Sequence, residues 1–484
     1  MVIAEGLRQG FSLATTVLNL NMMIAGALVG ILVGALPRLR AIHCIAVFLP
    51  LTYAVALPVD STLIFLVTIY YAAEFGSWGS TASVQKPLAE QGKVGSMLAL
   101  SGISSFFGGM VAVLGLMLFV WFLKHLSVRL GPAEYFVLVI FAFASLSIRA
   151  GKYPVRTLIS TGLGLMLATI GIDSTTGVLR FTLGAPQLYD GIEFTTIVVG
   201  LFVVSEVFVF LEPEKSFSCE TRKDEKRSIG MTEMLASKWV MVRAAIAGFF
   251  IGLLPGAGTT IASSFSAQTE KYLAPSDKDV QKTMLNEEVA AETANSAAAG
   301  GAMVPMLALG IPGSGTTAIL LGALLLHNIT PGPALFNQHA DLVWGIAASM
   351  LLGNLFLLVL NLPFQNFFYS TQDVPNWIFA PCLLVLAFIG VFSINESSFS
   401  LFLMVAFGLF AYLLQKWHYP LVPLLLGFVF GELMENNLRR ALALSGGDLN
   451  ILYNSSASKV MWGLTLFVVL LPLILLRFRR EIKK

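Results

Sequence analysis

Charge is what this sequence has least of. Only 12% of its 484 residues are Asp, Glu, Lys or Arg, about half of the roughly 25% usual in soluble domains. Hydrophobic residues make up 56%, and the mean hydropathy is +0.80. A chain this poor in polar side chains cannot coat several soluble domains, so it is an integral membrane protein. Cysteine is nearly absent: Cys44, Cys219 and Cys382 stand far apart. That excludes a disulfide framework and metal-ligand spacing, and leaves redox chemistry without a centre. Five histidines without an HExxH pattern exclude a familiar zinc site. A net charge of +2 excludes the electrostatic footprint of a nucleic-acid binder.

The few charges are also unevenly spread. Of 58 charged residues, 13 fall between Glu212 and Arg243 and 9 between Glu270 and Glu292. The rest of the chain reads as apolar runs, from 13–36 to 460–476, separated by short polar breaks. A helix of about 20 residues satisfies its own backbone in hydrocarbon, so these runs predict spanning helices. The first run, Phe11 to Pro37, is too long for a signal-peptide core and is expected to be retained. The segment 212–243 holds seven Lys or Arg, and Arg477, Arg479, Arg480, Lys483 and Lys484 crowd the carboxyl end; the positive-inside rule places both in the cytoplasm.

That charged segment divides the chain into halves, and the halves share a short repeat. Gly30 to Pro37 reads GILVGALP and Gly248 to Pro255 reads GFFIGLLP. The expected architecture is an all-α polytopic membrane protein of two related, inverted repeats with broken or re-entrant helices. Residues 1–211 form the first transmembrane repeat, 212–243 the cytoplasmic linker and 244–484 the second repeat.

In the second half, LPGAGTT at 254–260 and LGIPGSGTT at 309–317 have the same build: Pro and Gly break a helix, then small hydroxyl residues follow. Transporters place such interruptions at their binding sites. Backbone N–H groups freed at the break and the positive end of the resumed helix suit a carboxylate. The candidate substrate contacts are therefore Gly256, Gly258, Thr259, Thr260, Pro312, Gly313, Ser314, Gly315, Thr316 and Thr317, joined by Asn295 and Ser296 from the intervening segment. Exposed carbonyls there suit Na⁺ equally, and close helix packing through small residues is a third reading. Glu292 and Asn295 are the candidate cation-coupling groups, since polar side chains inside a membrane segment default to function; Glu292 also reads as a helix-end charge. The first half departs from this pattern, with Arg38 and Arg40 standing where the second has Gly256 and Gly258. A guanidinium can fork onto a carboxylate, or simply anchor a helix end in lipid headgroups. Glu74, Ser77, Ser80, Thr81 and Ser83 form the first half's polar interruption, and Ser77 and Ser80, with Arg38 and Arg40, are its candidate substrate contacts.

Three long blocks carry a family resemblance: LLPGAGTTIAS at 253–263, AETANSAAAGGAMVPMLALGIPGSGTTAILLGALLLHNITPGPALF at 291–336, and PLVPLLLGFVFGELMENNLRRALALSGGD at 420–448. With DGIEFTTIVVGLFVVSEVF at 190–208, they resemble the large, TctA-type membrane subunit of tripartite tricarboxylate transporters over nearly the whole chain. The resemblance implies a secondary carrier of carboxylates in the bacterial cytoplasmic (inner) membrane, driven by Na⁺ or H⁺. It implies no cofactor, a periplasmic solute-binding protein and a small membrane subunit as partners, and no enzymatic role. The family's LPGLGP-like first repeat is replaced here by Leu36, Pro37, Arg38, Leu39, Arg40, and its NTPGT-type loop is missing where the chain passes from Gly76, Ser77, Trp78, Gly79, Ser80 directly to Thr81, Ala82, Ser83. A transport-inactive assembly partner and an intramembrane enzyme stay open as other readings of the residues alone.

Overall fold

The computed structural model describes residues 2–36, 39–75, 94–125, 131–149, 154–212, 237–256, 258–274, 280–332, 335–371 and 376–482. Arg38, Ser77, Ser80, Thr81, Ser83 and nearly all of the charged linker lie outside the described residues. The first half holds α1 (Val2–Ala14), α2 (Val17–Ala35), α3 (Ala41–Ala54), α4 (Val59–Phe75), α5 (Val94–His125), α6 (Pro132–Arg149), α7 (Pro154–Ala168) and α8 (Phe194–Phe210). The second holds α9 (Lys238–Gly252), α10 (Gly258–Leu273), α11 (Val280–Gly301), α12 (Met303–Leu309), α13 (Gly315–Leu326), the single turn α14 (Leu335–Gln338), α15 (Ala340–Thr371), α16 (Asn376–Asn395), α17 (Ser398–Lys416), α18 (Leu421–Leu444), the single turn α19 (Ile451–Asn454) and α20 (Ser456–Ile482).

Five stretches are long and apolar enough to cross a bilayer: Val17–Gly34, Leu100–Phe119, Ala340–Leu360, Ser398–Lys416 and Leu421–Leu444. Their outer faces are apolar, with Leu118 and Phe402 more than 60% exposed. Such a surface suits lipid and not water. This is a multi-pass helical membrane protein. Two details differ from the expected spans. The first apolar run is two helices, because Thr16 caps α2 and Asn19 reaches back to the Leu13 carbonyl at 2.8 Å. A small hairpin also intervenes between α7 and α8: β1 (Gly171–Ile172) pairs antiparallel with β2 (Leu179–Arg180). Asp173 braces it, accepting from the Thr175 N–H at 2.9 Å and from both Arg439 guanidinium nitrogens at 3.1 and 2.9 Å.

One packing device occurs in both halves. α2 and α4 run parallel, with Gly26, Gly30 and Gly34 set against the backbones of Phe65, Ile69 and Ala73. α9 and α11 also run parallel, with Gly248 and Gly252 against Ala294 and Ala298. In each case a helix turns back between the parallel pair. A side chain at any of these glycines would collide with the neighbouring backbone, so the sequence spacing GxxxG sets how closely the helices approach. Where the two groups meet, Tyr71 lies by Gly300 and Glu74 by Asn295, so α4 and α11 run antiparallel.

Candidate functional site

The Gly/Pro breaks are built tightly. Gly256 (φ +75°) and Gly258 (φ +68°) take left-handed backbone that favours glycine, and they reverse the chain between α9 and α10. Gly310 (φ +71°) closes α12 with its N–H on the Met306 carbonyl at 3.1 Å. The Gly256 N–H donates to the Gly313 carbonyl at 3.0 Å, which ties the two breaks together. Ser314 caps α13: its Oγ accepts the Thr317 N–H at 3.2 Å, and its own N–H donates to Thr317 Oγ1 at 2.8 Å. Pro312, Gly313, Gly315 and Thr316 are buried beside them, while Thr260 is exposed on the other side of α10. Much of the hydrogen-bonding capacity of the breaks is therefore spent on one another.

Beside the breaks, polar groups from both halves converge. Thr259 Oγ1 donates to Glu74 Oε2 at 3.2 Å, and Asn295 Nδ2 donates to the same oxygen at 3.1 Å and to the Glu74 carbonyl at 3.1 Å. Ser263 Oγ lies 3.0 Å from the Ala291 carbonyl and 3.4 Å from Asn295 Oδ1. The local chain explains the pairing. Thr259 lies in the first turn of α10, where the helix presents its positive end; Glu74 lies in the last turn of α4, whose own dipole disfavours a carboxylate. One turn below Asn295, Glu292 is buried in the middle of α11 and accepts from Ser105 Oγ at 3.3 Å, so it is no helix-end charge. Glu288, a further turn away, is also buried. Ser296 Oγ and Tyr71 Oη are buried with no hydrogen-bond partner among the described residues. The node offers carboxylates and amide and hydroxyl oxygens, the groups that hold a proton or a hard cation. No group of three or more His, Cys, Asp or Glu gathers among the described residues.

Arg40 does not join this node. It precedes α3, gives its backbone N–H to His43 Nδ1 at 3.0 Å, and lines a cavity of about 720 Å³. His43, Glu206, Gln415, His418 and Tyr419 supply the other polar wall, with His43 Nε2 3.9 Å from Glu206 Oε2. The breaks stand directly behind that wall. Leu146 lines the cavity and would touch a Cβ at Gly256; Ile42 and Val422 line it and would touch one at Gly315, all within 2.8 Å. The cavity lies at the linker end of α8, where Glu212 pairs with Lys416 at 2.6 Å and accepts from the Tyr412 hydroxyl at 2.8 Å. Sequence reasoning did not assemble this cavity, since the polar residues named come from three separate stretches. The signal available was Glu206, an ionisable residue inside the apolar run 192–211.

Fold and site together define a multi-pass helical membrane protein whose interrupted helices meet at a buried polar centre. The chain belongs to the tripartite tricarboxylate transporter TctA family, whose model matches residues 20–426. One similar protein is the "Uncharacterized 52.8 kDa protein in TAR-I ttuC' 3'region" of Agrobacterium vitis, 35% identical over 98% of this chain and 97% of that protein. Another is the "Uncharacterized protein in TAR-II ttuC' 3'region" of the same organism, 37% identical over 47% of this chain and 94% of that protein. No solved structure matches.

Proposed function

We propose that this chain is the permease subunit of a tripartite secondary transporter importing carboxylates, tricarboxylates or related organic acids, across the bacterial inner membrane by cation-coupled alternating access. The observation that carries the reading is the cavity bearing Arg40 and backed by both broken helices. An exposed guanidinium at the edge of a half-open, mostly apolar cavity can receive an anion, because a carboxylate can satisfy its planar donors in pairs. The breaks behind it are where a transporter changes shape with least backbone cost.

Two further observations fit. α2 and α4 run parallel, α9 and α11 run parallel, and α4 runs antiparallel to α11, which supports a reading of the two halves as inverted repeats. Glu292 and Asn295 share one face of α11 with Glu74 across from Asn295, giving Na⁺ or H⁺ a place to act near the substrate. A periplasmic solute-binding protein would deliver the carboxylate, and a small membrane subunit would complete the complex. The basic linker and carboxyl tail set the cytoplasmic side, so the Arg40 cavity faces the cytoplasm.

The test is uptake into proteoliposomes. The complete complex should accumulate labelled citrate or succinate only when a Na⁺ or H⁺ gradient is imposed, and only with the binding protein present. Equilibration with no gradient dependence would refute the coupled mechanism; no carboxylate movement at all would refute the function.

A further inference from the structure

The donors that sequence reasoning assigns to a solute carboxylate already hold one. Glu74 Oε2 occupies the Thr259 hydroxyl and the Asn295 amide at 3.2 and 3.1 Å, at the amino end of a 16-residue helix. It enters from the opposite half of the molecule, 185 and 221 residues away in sequence. Bonds from neutral donors to a carboxylate are about twice as strong as those between neutral groups. The helix end adds its own attraction for a negative charge.

We infer that Glu74 is a tethered competitor for the solute: its carboxylate fills a second carboxylate site, distinct from the Arg40 cavity and formed by Thr259, Asn295 and the start of α10, and a cation that neutralises Glu74 vacates that site. This rests on the carboxylate-permease reading. The competition is intramolecular, so Glu74 acts at a high local concentration whatever the solute level. Apparent solute affinity is then the intrinsic affinity scaled by the fraction of molecules in which Glu74 has let go. A proton or Na⁺ raises that fraction, so ion binding promotes solute binding without any contact between the two. Among the described residues, Glu292 on α11 and Tyr70 on α4 are ionisable groups that interact electrostatically with Glu74.

The experiment is calorimetric titration of the purified full-length chain in nanodiscs with citrate and with succinate. Each is run at pH 6 and pH 8 in choline buffer, and at pH 8 with Na⁺ replacing choline. The wild type should bind more tightly at pH 6, if the proton is the ion, or with Na⁺, if sodium is. Glu74→Gln should bind about tenfold more tightly at pH 8 in choline and lose the ion dependence. Glu74→Asp keeps the charge but shortens its reach, and should fall between the two; it carries the test if Glu74→Gln does not fold. Thr259→Val in the Glu74→Gln background should weaken binding again, because the same hydroxyl now serves the solute. Wild-type affinity and ion dependence in both Glu74 variants overturn the inference and leave the carboxylate reading intact. Absence of citrate and succinate binding in wild type and variants alike overturns that reading and this inference with it.

Discussion

The turn that follows the glycine-lined helix of each half, α2 in the first and α9 in the second, forms a tip, and the two tips carry different residues. In the second half, the turn between α9 and α10 is made of small residues, and it packs: Gly256 bonds Gly313, and Ser314 caps its own helix. In the first half the turn between α2 and α3 carries Arg40, which reaches a cavity, and α4 ends in Glu74, which crosses to the opposite tip. Glycine-rich breaks thus provide close approach, and the long side chains of the other half provide charge. Sequence reasoning had located the chemistry mainly where the glycines are; the structure sets the charged groups beside them.

The sharpest way to break this contrast is to give the glycine tip a side chain. Gly256→Val forces a branched residue into left-handed backbone, at about 1–2 kcal/mol, and drives a Cβ to 2.7 Å from Leu146. Uptake should be lost. Gly313→Val, whose Cβ would lie 2.8 Å from that of Ala302, should do the same, and both should lower the melting temperature in fluorescence-detected chromatography. Normal uptake in either variant would remove the breaks from the mechanism.

A smaller effect belongs to the charged tip. Arg40→Lys keeps the charge and loses the planar fork, so solute affinity should fall about tenfold while melting temperature stays at wild type. Arg40→Gln should fall further.

Asn295 and Asn354 separate contact from packing. Asn295→Leu removes the donor to Glu74 and should change uptake per folded molecule. Asn354 donates to the Phe106 carbonyl at 2.9 Å and packs against Gly109. Its replacement by Leu should cost about 1–3 kcal/mol of stability and leave uptake per folded molecule unchanged. Equal effects of both on uptake would return Asn295 to the packing reading.

The smallest effect lies at the hairpin, remote from both tips. The Thr175 N–H, and then Arg439, hold the Asp173 carboxyl well below the usual carboxylate range. A carboxylate with a lowered folded-state value stabilises the protein above its unfolded pKa of about 4 and loses that contribution as pH falls toward the folded value. Asp173→Asn should therefore lower the melting temperature at pH 7, and the gap to wild type should close in strong acid. Uptake should be unaffected.

Legibility followed distance along the chain. The membrane class and the helical breaks are local properties of composition and spacing, and they could be read directly; the place of Glu292 in the middle of α11 could not, since a charge just before an apolar run also reads as a helix end. The Ser314–Thr317 cap was legible too, as a hydroxyl three residues from a hydroxyl at a helix start, but the same residues fit a ligand site equally well. The break at Thr16 was not legible, because the run from Phe11 to Pro37 is long and apolar enough to read as one span. The Glu74 contacts and the Arg40 cavity were not legible, because they depend on residues some 200 positions apart that only the antiparallel meeting of α4 and α11 brings together. Nothing in a single helix's periodicity encodes that meeting.

The central claim is that Arg40 presents a carboxylate receptor in the cavity behind which the broken helices stand. Titrating purified wild type and Arg40→Lys with citrate and succinate tests it most directly. The account predicts saturable binding by the wild type and clearly weaker binding by Arg40→Lys at unchanged melting temperature; equal affinity in the two proteins would contradict it.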